Sequence, residues 1–237
     1  MSKLYFFRHG QASLGAENYD VLSDKGVQQA QLLGDYLLKE NISFDKIFVG
    51  PLDRQIDTFK AVANKYLAKG IDLPTPIIIN GLKEHNGIAT MKIALPDLIK
   101  TDPYLIALKE STKRDPKKAM RNAMLGFQHF LGEWAEGNIT VKDMPTWKEF
   151  RADVKEGLDQ VLAATAKGET VGIFSSGGTI SAITAECLGL TTEKAVAELN
   201  FSIRNTSFSS FLYAENKFNL LSFNELPHLK KDMITFV

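Results

Sequence analysis

The chain has 237 residues, 44% hydrophobic and 24% charged, with 28 basic and 28 acidic side chains and a formal net charge of zero. This suits one globular domain with an elaboration, expected over residues 1–237, and suffices to bury a substantial core. Zero net charge excludes a general attraction to nucleic acid or to an anionic membrane, so any positive potential is local, as for a small anionic ligand.

Met1-Ser2-Lys3 precedes only the four apolar residues Leu4-Tyr5-Phe6-Phe7, too few for a signal-peptide core. No stretch approaches membrane-spanning length, so the expected location is the cytoplasm. Residues 4–7 read as a buried strand ending at Arg8-His9-Gly10-Gln11, followed by a polar irregular loop through Asn18-Tyr19-Asp20. Ser23 is the expected N-cap of a helix, with Asp24 in its first turn and Val27, Ala30, Leu33, Leu37 and Leu38 on its inner face. Lys46-Ile47-Phe48-Val49 is a second strand, broken by Gly50-Pro51. A helix follows from Leu52 to about Ala68 with Ile56, Phe59, Val62, Ala63 and Tyr66 inward. Ile77-Ile78-Ile79 is a third strand, close before Glu84.

From about residue 91 to 165 the pattern is helical, interrupted at Pro96, Asp102-Pro103, Asp115-Pro116, Gly137-Asn138 and Met144-Pro145. Val171-Gly172-Ile173-Phe174 restores the strand pattern before Gly177-Gly178 and an apolar helix over residues 179–188. Residues 206–213 and 218–223 form a hairpin with its turn at 214–217. Strand–helix alternation predicts an α/β fold: a mostly parallel central sheet with helices on both faces. The helical stretch, about residues 88–168, is read as a cap inserted over the C-terminal edge of the sheet.

A strand that stops at Arg8-His9-Gly10 puts a cation and an imidazole where open α/β sheets bind ligands. Taken with Gly50-Pro51-Leu52-Asp53-Arg54-Gln55-Ile56-Asp57-Thr58, Glu84, Gly177-Gly178 and the first-helix positions Leu22, Gly26, Gln29-Ala30 and Leu33-Gly34, the chain resembles the histidine phosphatase (phosphoglycerate mutase-like) superfamily. The resemblance is close over residues 3–90 and 170–190 and only general in the helical block. It implies a phosphoglycerate mutase-like fold, with His9 as the nucleophile that takes up a phosphoryl group. Arg8 and Arg54 are implied as phosphate-binding cations, Glu84 as the proton donor, and the backbone at Gly177 as an anion-binding helix start. Gly50 and Phe59 depart from the family pattern in flanking places. The main departure is Ser176, which stands where the family has a second His, and a serine hydroxyl is a neutral donor of shorter reach. Losing one such donor costs about 10²–10³ in rate, so anion binding is expected to survive better than turnover.

For the acid role, the Glu84 carboxyl needs a pKa raised by a water-poor cleft. His85, beside Glu84, is read as a pocket wall or surface residue in preference to a replacement for the missing imidazole, for which it is the first candidate; His129 is read as helix packing and His228 as structural. Cys187, the lone cysteine, cannot form an internal disulfide, which fits a reducing compartment, and it reads as a small buried hydrophobe. Lys113-Arg114 and Lys117-Lys118 read as a solvated helix surface. Scattered His and one Cys give no metal-ligand spacing, so no metal and no cofactor are expected. The expected partner is a small phosphorylated substrate or a phosphoprotein; oligomeric state is not legible. Three functions compete: a phosphomonoester phosphatase, a degenerate relative that binds phosphorylated ligands, and a mutase. The family's mutases carry Glu-Arg-x-Tyr-Gly where this chain has Glu84-His85-Asn86-Gly87, and the lost cation argues against the mutase. Ser176 argues for the degenerate relative, whereas Arg8, His9, Arg54 and Glu84 together argue for the phosphatase.

Overall fold

A computed structural model describes residues 1–13, 20–215 and 217–236. Its sheet has six strands in the order β3-β2-β4-β1-β5-β6. β1 (Ser2–Arg8), β2 (Lys46–Val49), β3 (Ile77–Ile78) and β4 (Thr170–Ser175) run parallel, while β5 (Phe208–Ala214) and β6 (Lys217–Glu225) add an antiparallel hairpin beside β1. The expected hairpin is present; Asn216 in its turn and residues 18 and 19 of the expected loop lie outside the described residues.

The inner parallel strands β1, β2 and β4 bury both faces, as continuous apolar runs require, whereas the two residues of the edge strand β3 are exposed. Leu4, Phe6, Phe48, Val171 and Ile173 face one core, and Tyr5, Phe7, Ile47, Val49 and Phe174 face the other. The second core is closed by α1 (Asp24–Lys39) and α2 (Asp53–Leu67) through Leu33, Leu37, Phe59, Val62 and Tyr66. The Ser23 hydroxyl accepts from the Gly26 N–H, the expected cap. Val27, expected inward, is 37% exposed in the shallow groove between α1 and α2.

The first core is closed by α6 (Trp147–Ala164) and α7 (Gly177–Leu188). Thus α6, although part of the helical stretch, lies on the sheet through Phe150, Val154, Leu158 and Val161. The elements at the C-terminal edge are α3 (Gly87–Thr101), α4 (Pro103–Arg114) and α5 (Ala119–Ala135). Pro96, expected as an interruption, lies inside α3. The carbonyl it leaves unpaired belongs to Lys92, an exposed residue that water can satisfy. Asp102 and Asp115 end helices as expected, and Asp102 also caps α4 by accepting from the Leu105 N–H. A short helix without an apolar stripe long enough to read, α8 (Glu193–Asn200), packs between α5 and α7.

Candidate active site

His9 follows β1 directly, and its backbone is fixed on every side. Its N–H donates to the Ser175 carbonyl at 2.9 Å, and its carbonyl accepts from the Thr206 N–H at 3.2 Å and the Asn205 amide at 3.3 Å. The next N–H, of Gly10, donates to Thr58 Oγ1 at 3.0 Å. The ring is 3% exposed, and Nδ1 lies 2.7 Å from the Gly10 carbonyl. A carbonyl only accepts, so Nδ1 carries the proton and Nε2 keeps its lone pair, which accepts from Arg54 Nε at 3.2 Å. Burial, then Arg54 and Arg8, hold the imidazole well below its ordinary pKa. His9 is therefore a neutral, oriented base.

Arg54 occupies the first turn of α2, and its Nη1 pairs with Asp20 at 2.6 Å. Asp20 also accepts from the Asp53 N–H at 2.9 Å, so one carboxylate orders both the helix start and the guanidinium. Arg8, the last residue of β1, donates from Nη1 to the Ile203 carbonyl and lies along Gly177, where an added Cβ would stand 3.5 Å from its Cζ.

Gln55 comes next in α2. Its Oε1 accepts from the Leu52 N–H at 3.1 Å, and its Nε2 donates to the Leu82 carbonyl at 2.9 Å and to Ser176 Oγ at 2.8 Å. This side chain explains a sequence departure: a Cβ at Gly50 would fall 2.1 Å from Gln55 Oε1. Ser176 itself is fully buried at the N-cap of α7, and its hydroxyl accepts from Gln55 behind the cleft wall rather than lining it.

Glu84 follows a short 3-10 turn at Asn80–Leu82 and reaches the start of α7. Its carboxylate accepts from the Gly178 N–H at 3.1 Å and from the His85 N–H at 2.9 Å. Burial alone would raise its pKa, but His85, the Gly178 amide, Arg54 and the His85 amide outweigh that and hold it below the ordinary value. The expected upward shift is not found, because the carboxylate sits on donors that the sequence did not place beside it.

These side chains share one cleft of about 520 Å³, walled by Arg8, His9, Arg54, Glu84 and His85. Above the polar floor the lining becomes largely apolar, with Ile88 of α3, Met124 and Phe127 of α5, Phe201 after α8, and Phe236. The sequence therefore brings Arg8, His9, Arg54 and Glu84 together, with Gly177 and Ser176 just behind. It gave no sign of Asp20 or of Asn200, which lines the cleft with its Oδ1 2.6 Å from where a Cβ at Gly177 would stand, and Gln55 was visible only as a polar residue beside Arg54. A carboxylate at the end of an irregular loop and an amide at the end of a short helix have no local pattern. Gln55 was detectable in principle, as an N3 glutamine able to cap the helix start.

The model of the histidine phosphatase superfamily, branch 1, matches residues 4–92 and 110–226. Among curated relatives, a 2,3-bisphosphoglycerate-dependent phosphoglycerate mutase 2 of Latilactobacillus sakei is 45% identical over 64 residues. That match covers 24% of this chain and 28% of the relative, under a third of its length. Among solved structures, a mutant phosphoserine phosphatase of Entamoeba histolytica in complex with phosphoserine has a TM-score of 0.60 at 20% identity, covering 97% of this chain and 100% of that one. The alpha-ribazole phosphatase of Shigella flexneri has a TM-score of 0.61 at 17% identity, covering 94% and 96%. At such identities these likenesses establish a common fold.

Proposed function

This chain belongs to the histidine phosphatase superfamily, and on that premise we propose that it is a metal-independent phosphomonoester phosphatase working through a phosphohistidine at His9. The observation that carries the reading is the state of His9: neutral, tautomerically fixed by the Gly10 carbonyl, and flanked by two guanidinium groups.

Arg8, Arg54 and the start of α7 hold the phosphoryl oxygens. Arg54 Nε exchanges its bond to His9 Nε2 for one to phosphate, which frees the lone pair for in-line attack. The N–P bond forms as the P–O bond to the alcohol breaks, and the leaving oxygen takes a proton from Glu84. Water then attacks phosphorus with the Glu84 carboxylate taking its proton, the N–P bond breaks, and phosphate leaves with His9 restored. Its donors hold Glu84 as a carboxylate. An arriving phosphoryl dianion repels that charge and raises its pKa, so the acid is made by substrate binding. The expected profile has an acid-to-neutral optimum.

The apolar upper wall favours an alcohol with an apolar body, closer in character to the substrate named for an alpha-ribazole phosphatase than to the doubly charged serine of phosphoserine. A second reading, a phosphate-binding relative without turnover, draws on Ser176, since the family's imidazole is missing from that position.

One experiment separates them. Purified protein is assayed on a phosphomonoester panel with a chelator present, then quenched in alkali to trap phosphohistidine. The expected result is turnover and an alkali-stable, acid-labile phosphoryl group, both lost in His9→Ala. Vanadate binding without turnover on any ester supports the second reading, and activity restored only by a divalent cation overturns the mechanism.

A further inference from the structure

His85, expected as a wall residue, is an imidazole for which the proposed chemistry has no use. Its ring lies over the first turn of α7: a Cβ at Gly178 would stand 2.5 Å from His85 Cδ2 and 3.1 Å from its Nε2. Its tautomer is fixed, because the Gly87 N–H donates to Nδ1 at 3.1 Å and Nε2 must then carry the proton. That N–H is buried without a hydrogen-bond partner. Its nearest carboxylate oxygen, Glu84 Oε1, is 3.5 Å away, while the side chain as a whole is only 4% exposed. Buried donors are rarely left unpaired, and an orphan in the wall of a cleft shared with Arg8, Arg54 and His9 marks a place for an acceptor.

The ring is also rigid. Trp134, Trp147 and Phe150 surround it at centroid distances of 5.9, 5.8 and 5.5 Å, and Trp147 is itself anchored by donating to Glu193 at 2.7 Å. The cage leaves one polar edge, directed to the helix start and Glu84.

We propose that His85 supplies the second imidazole of the phosphoryl site, donating its Nε2–H to a phosphoryl oxygen from the Gly178 side. Ser176, at the position where the family carries that group, is instead packed behind the cleft wall, where its hydroxyl accepts from Gln55. Burial, the largest influence on His85, keeps the ring neutral, so the donor is a dipole rather than a full charge. This inference rests on the phosphatase reading and deepens it.

The test uses the whole protein with vanadate and the best panel ester. His85→Phe keeps a ring in the aromatic cage and removes the donor; His85→Gln keeps an N–H near the Nε2 position. The expected result is a loss of about 10²–10³ in turnover and a clear loss of vanadate affinity in His85→Phe. His85→Gln recovers most of both, and the loss in His85→Phe exceeds that in Ser176→Ala. Thermal unfolding identifies any variant that fails to fold, in which case His85→Gln alone is compared with wild type for vanadate affinity. Wild-type behaviour in His85→Phe, or a greater loss in Ser176→Ala, overturns the inference while leaving the phosphatase reading intact. A wild-type protein that neither binds vanadate nor hydrolyses any ester overturns both.

Discussion

The floor and the roof of the cleft are built by different rules. The floor sits at strand ends whose backbones are fixed by the sheet, and three of its polar side chains are held by named partners: His9 by Gly10 and Arg54, Arg54 by Asp20, Glu84 by Gly178. The roof is helical and mostly apolar, and several of its residues stay open to solvent, with Ile88 40%, Met124 41% and Phe236 50% exposed. A phosphoryl group presents the same oxygens in every substrate, so its site can be rigid. The alcohol differs between substrates, and surfaces that recognise it gain from adaptable apolar contact. On the phosphatase reading proposed above, chemistry belongs to the floor and selectivity to the roof.

The largest expected effect comes from breaking the floor. On the phosphatase reading, Arg54→Ala removes a proposed phosphate ligand, and it leaves Asp20 at the helix start without its Arg54 guanidinium partner. Turnover is expected to fall by about 10²–10³, with vanadate affinity falling alongside because vanadate mimics the five-coordinate phosphorus whose charge the cation stabilises. Titration calorimetry with vanadate checks it. A variant that keeps wild-type affinity while losing turnover would place Arg54 outside the phosphate site.

Filling the floor is the next test. Ser176→His restores the family residue, but Ser176 is fully buried and its hydroxyl is 2.8 Å from Gln55 Nε2. The new ring has to displace Gln55, and overpacking of this kind destabilises by about 1–3 kcal/mol. The urea midpoint is expected to fall without a gain in activity. If the variant is as stable as wild type and faster, the volume was available and the floor is less closely packed than described.

Ser176 also marks where legibility ended. The strands β1, β2 and β4, the capped α1, and the grouping of Arg8, His9, Arg54 and Glu84 all follow from short apolar runs and the residues that terminate them. Such signals are local, and the parallel sheet then carries strand ends to one edge. The Gln55–Ser176 link joins residues far apart in sequence, and the His85 cage draws on α5 and α6. Neither leaves a local periodicity. The same holds for α6: its apolar stripe predicted a helix, but only tertiary packing decides whether it covers the sheet or the cleft.

Acid should loosen the floor. His9, His85 and His228 all have pKa values lowered mainly by burial, His228 to about 4. Above the ordinary imidazole pKa of about 6.5, folded and unfolded chains bind the same protons at these sites. Below it the unfolded chain takes up protons that the folded chain refuses, so stability falls as pH falls, by up to about 1.4 kcal/mol per pH unit for each such histidine. For His228 the loss runs from about 6.5 down to about 4. Glu84, with its lowered pKa, adds a further loss as pH drops through its folded value. Urea midpoints measured from pH 8 to pH 4 are expected to decline from just below neutrality, and a flat profile down to pH 5 would mean that these rings are not held neutral.

The smallest expected effect falls on the roof. Phe127 on α5 and Phe201 after α8 meet edge to face at 5.9 Å over the cleft, so they form one apolar wall from two elements. Truncating one removes contact with the alcohol, and an apolar contact of this size is worth about 1–3 kcal/mol between competing substrates. Phe127→Ala should therefore raise KM by roughly tenfold for esters with a bulky apolar alcohol. Esters with a small polar alcohol should be affected much less, because they leave that wall untouched. Vanadate affinity should move less than either KM, since vanadate engages the floor and carries no alcohol. The comparison of KM ratios across a matched ester series is the measurement. If Phe127→Ala weakens vanadate as much as it weakens the bulky ester, roof and floor are coupled through α5, and selectivity cannot be tuned without cost to the chemistry beneath it.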